Sequence, residues 1–420
     1  MKRLALLTLF IASFFFSQAQ FKLSGEIRPR SEYRHGFQSL VEQDQDPAFF
    51  TEQRTRLNAD YWSDRYSIKI VLQDIRVWGS QSQLVNNGGN ITAVHEAWGK
   101  LKLGESSSIK AGRQEIILDD SRIFGNVAWA QQARSHDALL FETSKNDFTL
   151  KLAAAYNQDG VQSVTNFYSV PRSYKTLQFL WMKKKWSSIT ASFLILNNGQ
   201  QSGTPTDGDT YFSQTIGGNA DYLQGKLQPG ATFYFQVGED GGGNDLSAFQ
   251  YQLDLTYQIK EGSSLMLGYE VLSGNNELSS STDNSAFNPF FGTNHKFNGL
   301  MDYFYVGNHI GTVGLQDIFL QWKTPIGKWK STVAYHYFAS QADQLDPVTA
   351  EAADKYLGSE VDLVLTRKLY EDVQIHWGYS QMFGSSSMEL LKGGDGGANN
   401  NWAWVMLTIK PTFFQIDGKE

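Results

Sequence analysis

From residue 21 onward, apolar and polar side chains alternate with a period of two. Tyr251, Leu253, Leu255, Tyr257 and Ile259 are interleaved with Gln250, Gln252, Asp254, Thr256 and Gln258. Over 52–61 one face carries Glu52, Arg54, Arg56, Asn58 and Asp60, and over 360–366 Val361, Leu363 and Leu365 face away from Glu360, Asp362 and Thr366. The first such stretch sets Glu26, Arg28, Arg30, Glu32 and Arg34 against Leu23, Gly25, Ile27 and Pro29. Successive side chains of a strand point to opposite faces, so this pattern predicts strands with one apolar and one wet face. Eighteen segments follow it, over 21–36, 51–63, 66–78, 91–103, 107–118, 136–145, 148–158, 173–184, 187–197, 210–222, 227–238, 247–259, 263–273, 315–325, 329–340, 357–369, 373–383 and 401–414.

Their connections alternate between long and short. Ser63-Asp64-Arg65, Lys145-Asn146-Asp147, Lys260-Glu261-Gly262, Ile326-Gly327-Lys328 and Tyr370-Glu371-Asp372 are tight turns. The stretches 79–90, 119–135, 198–209, 239–246, 274–314 and 384–400 are long and rich in Gly, Asn and Ser. This asymmetry predicts an all-β fold, an 18-stranded antiparallel transmembrane β-barrel with short periplasmic turns and long extracellular loops. An even strand count puts both termini on the periplasmic side. A soluble sandwich or propeller fits less well, because these strands are longer than the usual ~5–6 residues. Aromatics also gather near strand ends, as Tyr61, Trp62 and Tyr66, Trp322 and Trp329, and Phe413 and Phe414 do, which suits girdles at two membrane interfaces.

The first residues point the same way. Lys2 and Arg3, an apolar run from Leu4 to Phe16, and Ser17-Gln18-Ala19 predict a secretory signal over 1–19, too short to span a bilayer, followed by a single barrel domain over 20–420. The chain has 420 residues, 36 Lys+Arg against 43 Asp+Glu, and no cysteine. Without Lys2 and Arg3, 34 basic residues face 43 acidic ones, a charge of −9. That balance, with no basic tail, argues against nucleic acid as a partner, and the absence of cysteine excludes disulfide, zinc–thiolate and iron–sulfur sites.

Ten of thirteen arginines fall between 28 and 134. Parity places Arg28, Arg30, Arg34, Arg54, Arg56 and Arg113 on the wet face of the first, second and fifth strands, as a basic ladder lining the lumen. A guanidinium forks onto carboxylates, and rings of charge set ion selectivity, so the ladder suits passage of anions. Glu52 and Glu115 share the wall with Glu26, Glu32 and Glu96, and internal ion pairing is the competing use of the same arginines. The loop 119–135, with Asp119, Asp120, Arg122, Trp129 and Arg134, narrows the pore if folded inward, with Trp129 available to stack on a sugar. The connection 274–314, including Asn294 and Lys296, combines amides and aromatics in the manner of a carbohydrate surface.

Three motifs carry a family resemblance. They are Thr51-Glu52-Gln53-Arg54-Thr55-Arg56-Leu57; Gly112-Arg113-Gln114-Glu115-Ile116-Ile117-Leu118-Asp119-Asp120, continuing to Arg122-Ile123-Phe124-Gly125-Asn126; and Gly292-Thr293-Asn294-His295-Lys296-Phe297-Asn298-Gly299. With Gln131, Arg134, His136 and Asp137, they resemble the alginate export family of outer-membrane barrels, most strongly over 50–140. The resemblance implies an eighteen-stranded monomer in the lipids of the outer membrane, with an arginine-rich lumen that conducts an anionic uronate polymer.

No H-E-x-x-H or G-x-S-x-G motif occurs, and neither regular metal-ligand spacing nor a cofactor signature is present. Catalytic residues, metal and cofactor are all expected to be none. The resulting reading is a passive outer-membrane channel for an acidic saccharide or other small anion. Its alternatives are a weakly selective porin, or a plugged barrel acting as a surface binding protein or outer-membrane enzyme.

Overall fold

The computed structural model describes residues 20–83, 92–171 and 173–417, and the predicted leader over 1–19 lies outside them. In chain order the strands are β1 (Gln20–His35), β2 (Ala48–Trp62), β3 (Tyr66–Val77), β4 (Thr92–Lys102), β5 (Ser107–Gln114), β6 (His136–Lys145), β7 (Phe148–Tyr156), β8 (Thr176–Lys185) and β9 (Ile189–Thr204). They continue as β10 (Asp207–Tyr222), β11 (Leu227–Glu239), β12 (Asp245–Lys260), β13 (Ser263–Leu272), β14 (Leu315–Ile326), β15 (Trp329–Ala339), β16 (Tyr356–Tyr370) and β17 (Val373–Gly384). The last strand, β18, comes in two pieces, Asn400–Ile409 and Thr412–Ile416, and a short helix α1 (Ser386–Lys392) precedes it.

Every strand pairs antiparallel with its sequence neighbours, and β1 closes the sheet on both pieces of β18, with Arg30 opposite Met406 and Leu23 opposite Phe414. The break in β18 falls at Pro411, which has no N–H to give the ladder. Its carbonyl still accepts from Gly25 N at 2.9 Å, which carries the seam across the gap. The result is the expected eighteen-stranded barrel, closed and without a free edge.

The barrel is apolar outside and polar inside. On β3 the outward Ile68, Ile70 and Leu72 are 42%, 45% and 39% exposed, whereas inward Val71 is 1% exposed. A surface of this kind is stable against lipid, which needs no hydrogen bonds from it.

Two connections differ from expectation. The stretch 198–209 is not a loop: β9 and β10 stay paired out to Thr204 and Asp207, leaving Pro205-Thr206 as the turn. Above the bilayer both faces of a hairpin are wet, so Gln200, Gln201 and Ser202 lose the alternation without losing the ladder. Likewise β11 and β12 reach Glu239 and Asp245, and the connection there is only 240–244. The strict long-and-short alternation therefore fails at β9–β10.

A dry core exists, and it lies within the barrel. Phe124, Phe287, Met301, Tyr303 and Phe304, all from the connections after β5 and β13, are fully buried. Both connections fold inward and pack on one another. Gly125 N donates to Phe291 O at 2.8 Å, Thr293 N to Ser121 O at 2.9 Å, and Phe124 and Phe291 form a parallel bridge.

Candidate pore constriction

β1 and β2 hold their arginines at the level where the 115–135 loop turns inward, and the loop aims its carbonyls at them. Arg28 Nη1 donates to Ala128 O at 2.7 Å, Arg30 Nη1 to Trp129 O at 2.7 Å, and Arg54 Nη1 to Ala128 O at 3.3 Å. Arg28 Nη2 also reaches Gln131 Oε1 at 2.8 Å. Val127, at φ 50, is a β-branched residue in left-handed backbone, a conformation that persists only where its surroundings impose it. Here Val127 N donates to Thr293 Oγ1 at 3.0 Å, so the second loop fixes the first.

Carboxylates take the remaining guanidinium protons. Arg54 meets Glu26 at 2.5 Å, Arg30 meets Glu32 at 2.7 Å and Glu52 at 3.1 Å, and Arg34 meets Glu32 at 2.9 Å. Trp402 Nε1 adds a bond to Glu32 at 2.9 Å. Buried ions persist only with such complete partnering, and removal of one partner leaves the other uncompensated. Arg56 is the exception: Nε donates to Gln73 at 2.7 Å, but Nη2 has no partner among the described residues.

Trp129 sits at the centre. Arg30 lies 4.2 Å over its ring, His295 stacks on it with centroids 4.5 Å apart, and Trp402 and Trp404 meet it edge-on at 5.7 and 4.6 Å. Arg30 and His295 thus occupy the ring that was expected to stack on a sugar.

A second cluster ties both loops to the opposite wall. Arg122, fully buried, makes a two-pronged pair with Glu270 and lies 3.7 Å over the Phe297 ring. Asn298 Nδ2 donates to Glu270 at 2.8 Å and to Asp317 at 3.2 Å, and Glu360 accepts Met301 N at 2.8 Å. Beside it, Glu270, Asp317, His336 and Asp362 line a cavity of about 520 Å³ together with Lys296 and Lys323. The lumen is thus basic along β1–β2 and acidic along β13–β16. Sequence reading missed this acidic wall, although Glu270, Asp317, Glu360 and Asp362 all sit at inward parity.

The profile of the alginate export family matches residues 19–384. The chain belongs to the alginate export family. Its barrel is accordingly an outer-membrane channel, in contact with lipid outside and with small-molecule substrate inside. No curated protein matches the sequence. Among solved structures, Pseudomonas aeruginosa OpdO superposes with a TM-score of 0.62 at 12% identity, covering 94% of this chain and 98% of that one. Acinetobacter baumannii OccAB4 gives 0.62 at 11% identity, with 94% and 98% covered. At these identities the likeness is one of fold.

The other predicted residues of this alginate export barrel fall in three places. Arg34 is partly exposed above the arginine cluster, with Phe37 and Phe50 rings 4.1 and 4.9 Å away. Arg113 is not in the lumen: it shares the outer face of β5 with Ile109 and Ala111 and pairs with Asp137 at 2.8 Å. Parity on that strand gives the inward positions to Ser108, Lys110, Gly112 and Gln114, and Arg113 lies at the extracellular end, where outward charge is tolerated.

The rest brace the loops. Glu115 accepts from Asn126 at 2.8 Å and meets His95 at 2.8 Å, Asp120 accepts Arg122 N at 2.9 Å, Arg134 donates to Gly292 O at 3.0 Å, and Asn294 donates to Tyr305 O at 2.9 Å. Burial holds the Arg134 guanidinium down at about 10. It raises Asp119, against the lowering effect of the bond that Asp119 accepts from Trp181 Nε1 at 2.8 Å. Lys296 is lowered by burial and lies 4.9 Å over Phe297.

Proposed function

We propose that this barrel is a monomeric, passive channel for acidic saccharides or related small anions. The observation that supports it most is the one-sided arginine wall at the level of the inward loop. Arg28, Arg30, Arg54 and Arg56 stand there together, and among the described residues nothing bonds Nη2 of Arg56. Four guanidinium groups against Glu26, Glu32 and Glu52 leave this wall with a net positive charge, which attracts anions along its side of the lumen. The glutamates in the cluster keep an arriving carboxylate from being trapped.

Liposome swelling tests this directly. Galacturonate should enter faster than galactose, and galactose faster than galactosamine; the reverse order would overturn the reading. A second reading, a binding barrel that opens only when its loops move, draws support from the dry packing of Arg122, Trp402 and Phe124, all with no solvent exposure. Absence of conductance from the refolded protein would favour it.

A further inference from the structure

The inward face of β3–β8, between the constriction and the periplasmic mouth, carries lysines and tryptophans that the arginine wall does not involve. Lys69 is the cross-strand partner of Trp98, Lys100 of Lys110, and Lys151 of Trp181. Lys110 Nζ lies 5.0 Å over the Trp98 ring and Lys151 Nζ 5.4 Å over that of Trp181. Trp98, Lys100 and Lys110 are half-buried, so they line the lumen and remain in reach of solute.

The carboxylates nearby are mostly engaged. Glu96 pairs with Lys69 at 2.8 Å and accepts Trp98 Nε1 at 2.9 Å, Glu142 pairs with Lys151 at 3.6 Å, and Asp119 is held by Trp181. Asp221, on β10, stands two strands beyond Lys183. Among the described residues, Lys100, Lys110 and Lys183 form no ion pair, although the charges of Glu96 and Glu142 act on Lys110 and those of Asp119 and Asp221 on Lys183. Lys100 directly opposite Lys110 is unfavourable, since like charges on paired strand positions repel. Such a pair is stabilised by an anion placed between its ammonium groups.

We propose that Trp98, Lys100 and Lys110 form a saccharide subsite in the periplasmic vestibule, with Lys151 as its next rung. It takes an acidic oligosaccharide: one sugar ring lies on the free face of Trp98, its carboxylate is held between Lys100 and Lys110, and the following residue reaches Lys151. From β4 to β7 the track covers three inter-strand spacings of about 4.8 Å each, which suits an oligomer better than a single sugar. The site rests on the acidic-saccharide reading above and gives it a docking point separate from the arginines.

Isothermal titration of the refolded mature protein in detergent micelles, with trigalacturonate as probe, tests the site. Maltotriose and inorganic sulfate are the controls. Wild type should bind trigalacturonate and not maltotriose. Lys100→Gln/Lys110→Gln should weaken trigalacturonate about tenfold or more, as expected for the loss of two charge-assisted contacts. Trp98→Leu should weaken trigalacturonate while leaving sulfate affinity unchanged, a split that a merely structural role would not produce. The lysine variant should fold at least as well as wild type, because it removes a repulsion. No binding by wild type, equal binding of maltotriose, or unchanged affinity in either variant would overturn the site. Anion preference in conductance combined with unchanged trigalacturonate affinity in the variants would overturn the site alone. Cation preference with binding intact would overturn the channel reading alone.

Discussion

Arg30 holds Trp129 twice, donating to its carbonyl at 2.7 Å and lying 4.2 Å over its ring. The same guanidinium meets Glu32 and Glu52, so a single side chain couples the wall, its carboxylates and the inward loop. Arg30→Gln should destabilise the barrel by about 3–5 kcal/mol, as expected when one partner of a buried ion pair is lost. Unfolding in urea measures that loss. The same variant should show higher single-channel conductance as the loop loosens, and unchanged stability would mean that the clasp is not holding it.

Arg54 and Arg56 face the lumen and Arg113 does not, so the three separate position from charge. Arg54→Gln/Arg56→Gln should lower the permeability ratio of chloride to potassium. Arg113→Gln should leave that ratio unchanged, and its effect on stability should stay within about 0.5 kcal/mol, as for most surface ion pairs. Equal effects from both would show that net charge rather than the wall sets selectivity.

Deleting 122–130 removes the loop tip and Arg122, which would strand the buried Glu270. Combined with Glu270→Gln the deletion should raise conductance, and planar-bilayer recording would show it. An unchanged conductance would place the narrowest point elsewhere.

Acid should loosen the connection after β13. Burial holds the His309 imidazole down at about 3, with Lys392 as a second cause, and His309 Nε2 lies 3.0 Å from Gly314 O. The opened segment binds a proton below its ordinary ~6.5 while the packed one stays neutral. Stability is therefore full above that pH and falls as pH drops toward 3, by at most about 1.4 kcal/mol per unit. Hydrogen exchange over 300–314 should lose protection between pH 7 and pH 5 in wild type and much less in His309→Gln.

The barrel was legible because lipid enforces period two: Ile68, Ile70 and Leu72 must face out, and Lys69, Val71 and Gln73 therefore face in. Where the chain leaves the bilayer that constraint stops, so the β9–β10 ladder through Gln200 and Ser202 read as a loop. Arg113 was misplaced because the parity of its strand was set by the charge of Arg113 itself, although Ile109 and Ala111 on the same face mark it as outward. The inward fold of 115–135 depends on backbone carbonyls at Ala128 and Trp129, which are common to every residue and leave no mark in a sequence. The Lys100–Lys110 pair was within reach, since both lie at inward parity on adjacent strands.

On the proposed function the lumen favours anions. The reversal potential of the refolded mature protein in a planar bilayer, under a potassium chloride gradient, tests it most directly. The arrangement of Arg28, Arg30, Arg54 and Arg56 predicts a sign corresponding to chloride preference, diminished in Arg54→Gln/Arg56→Gln. A sign corresponding to potassium preference would mean that Glu270, Asp317 and Asp362 dominate the lumen and would overturn the proposed anion channel.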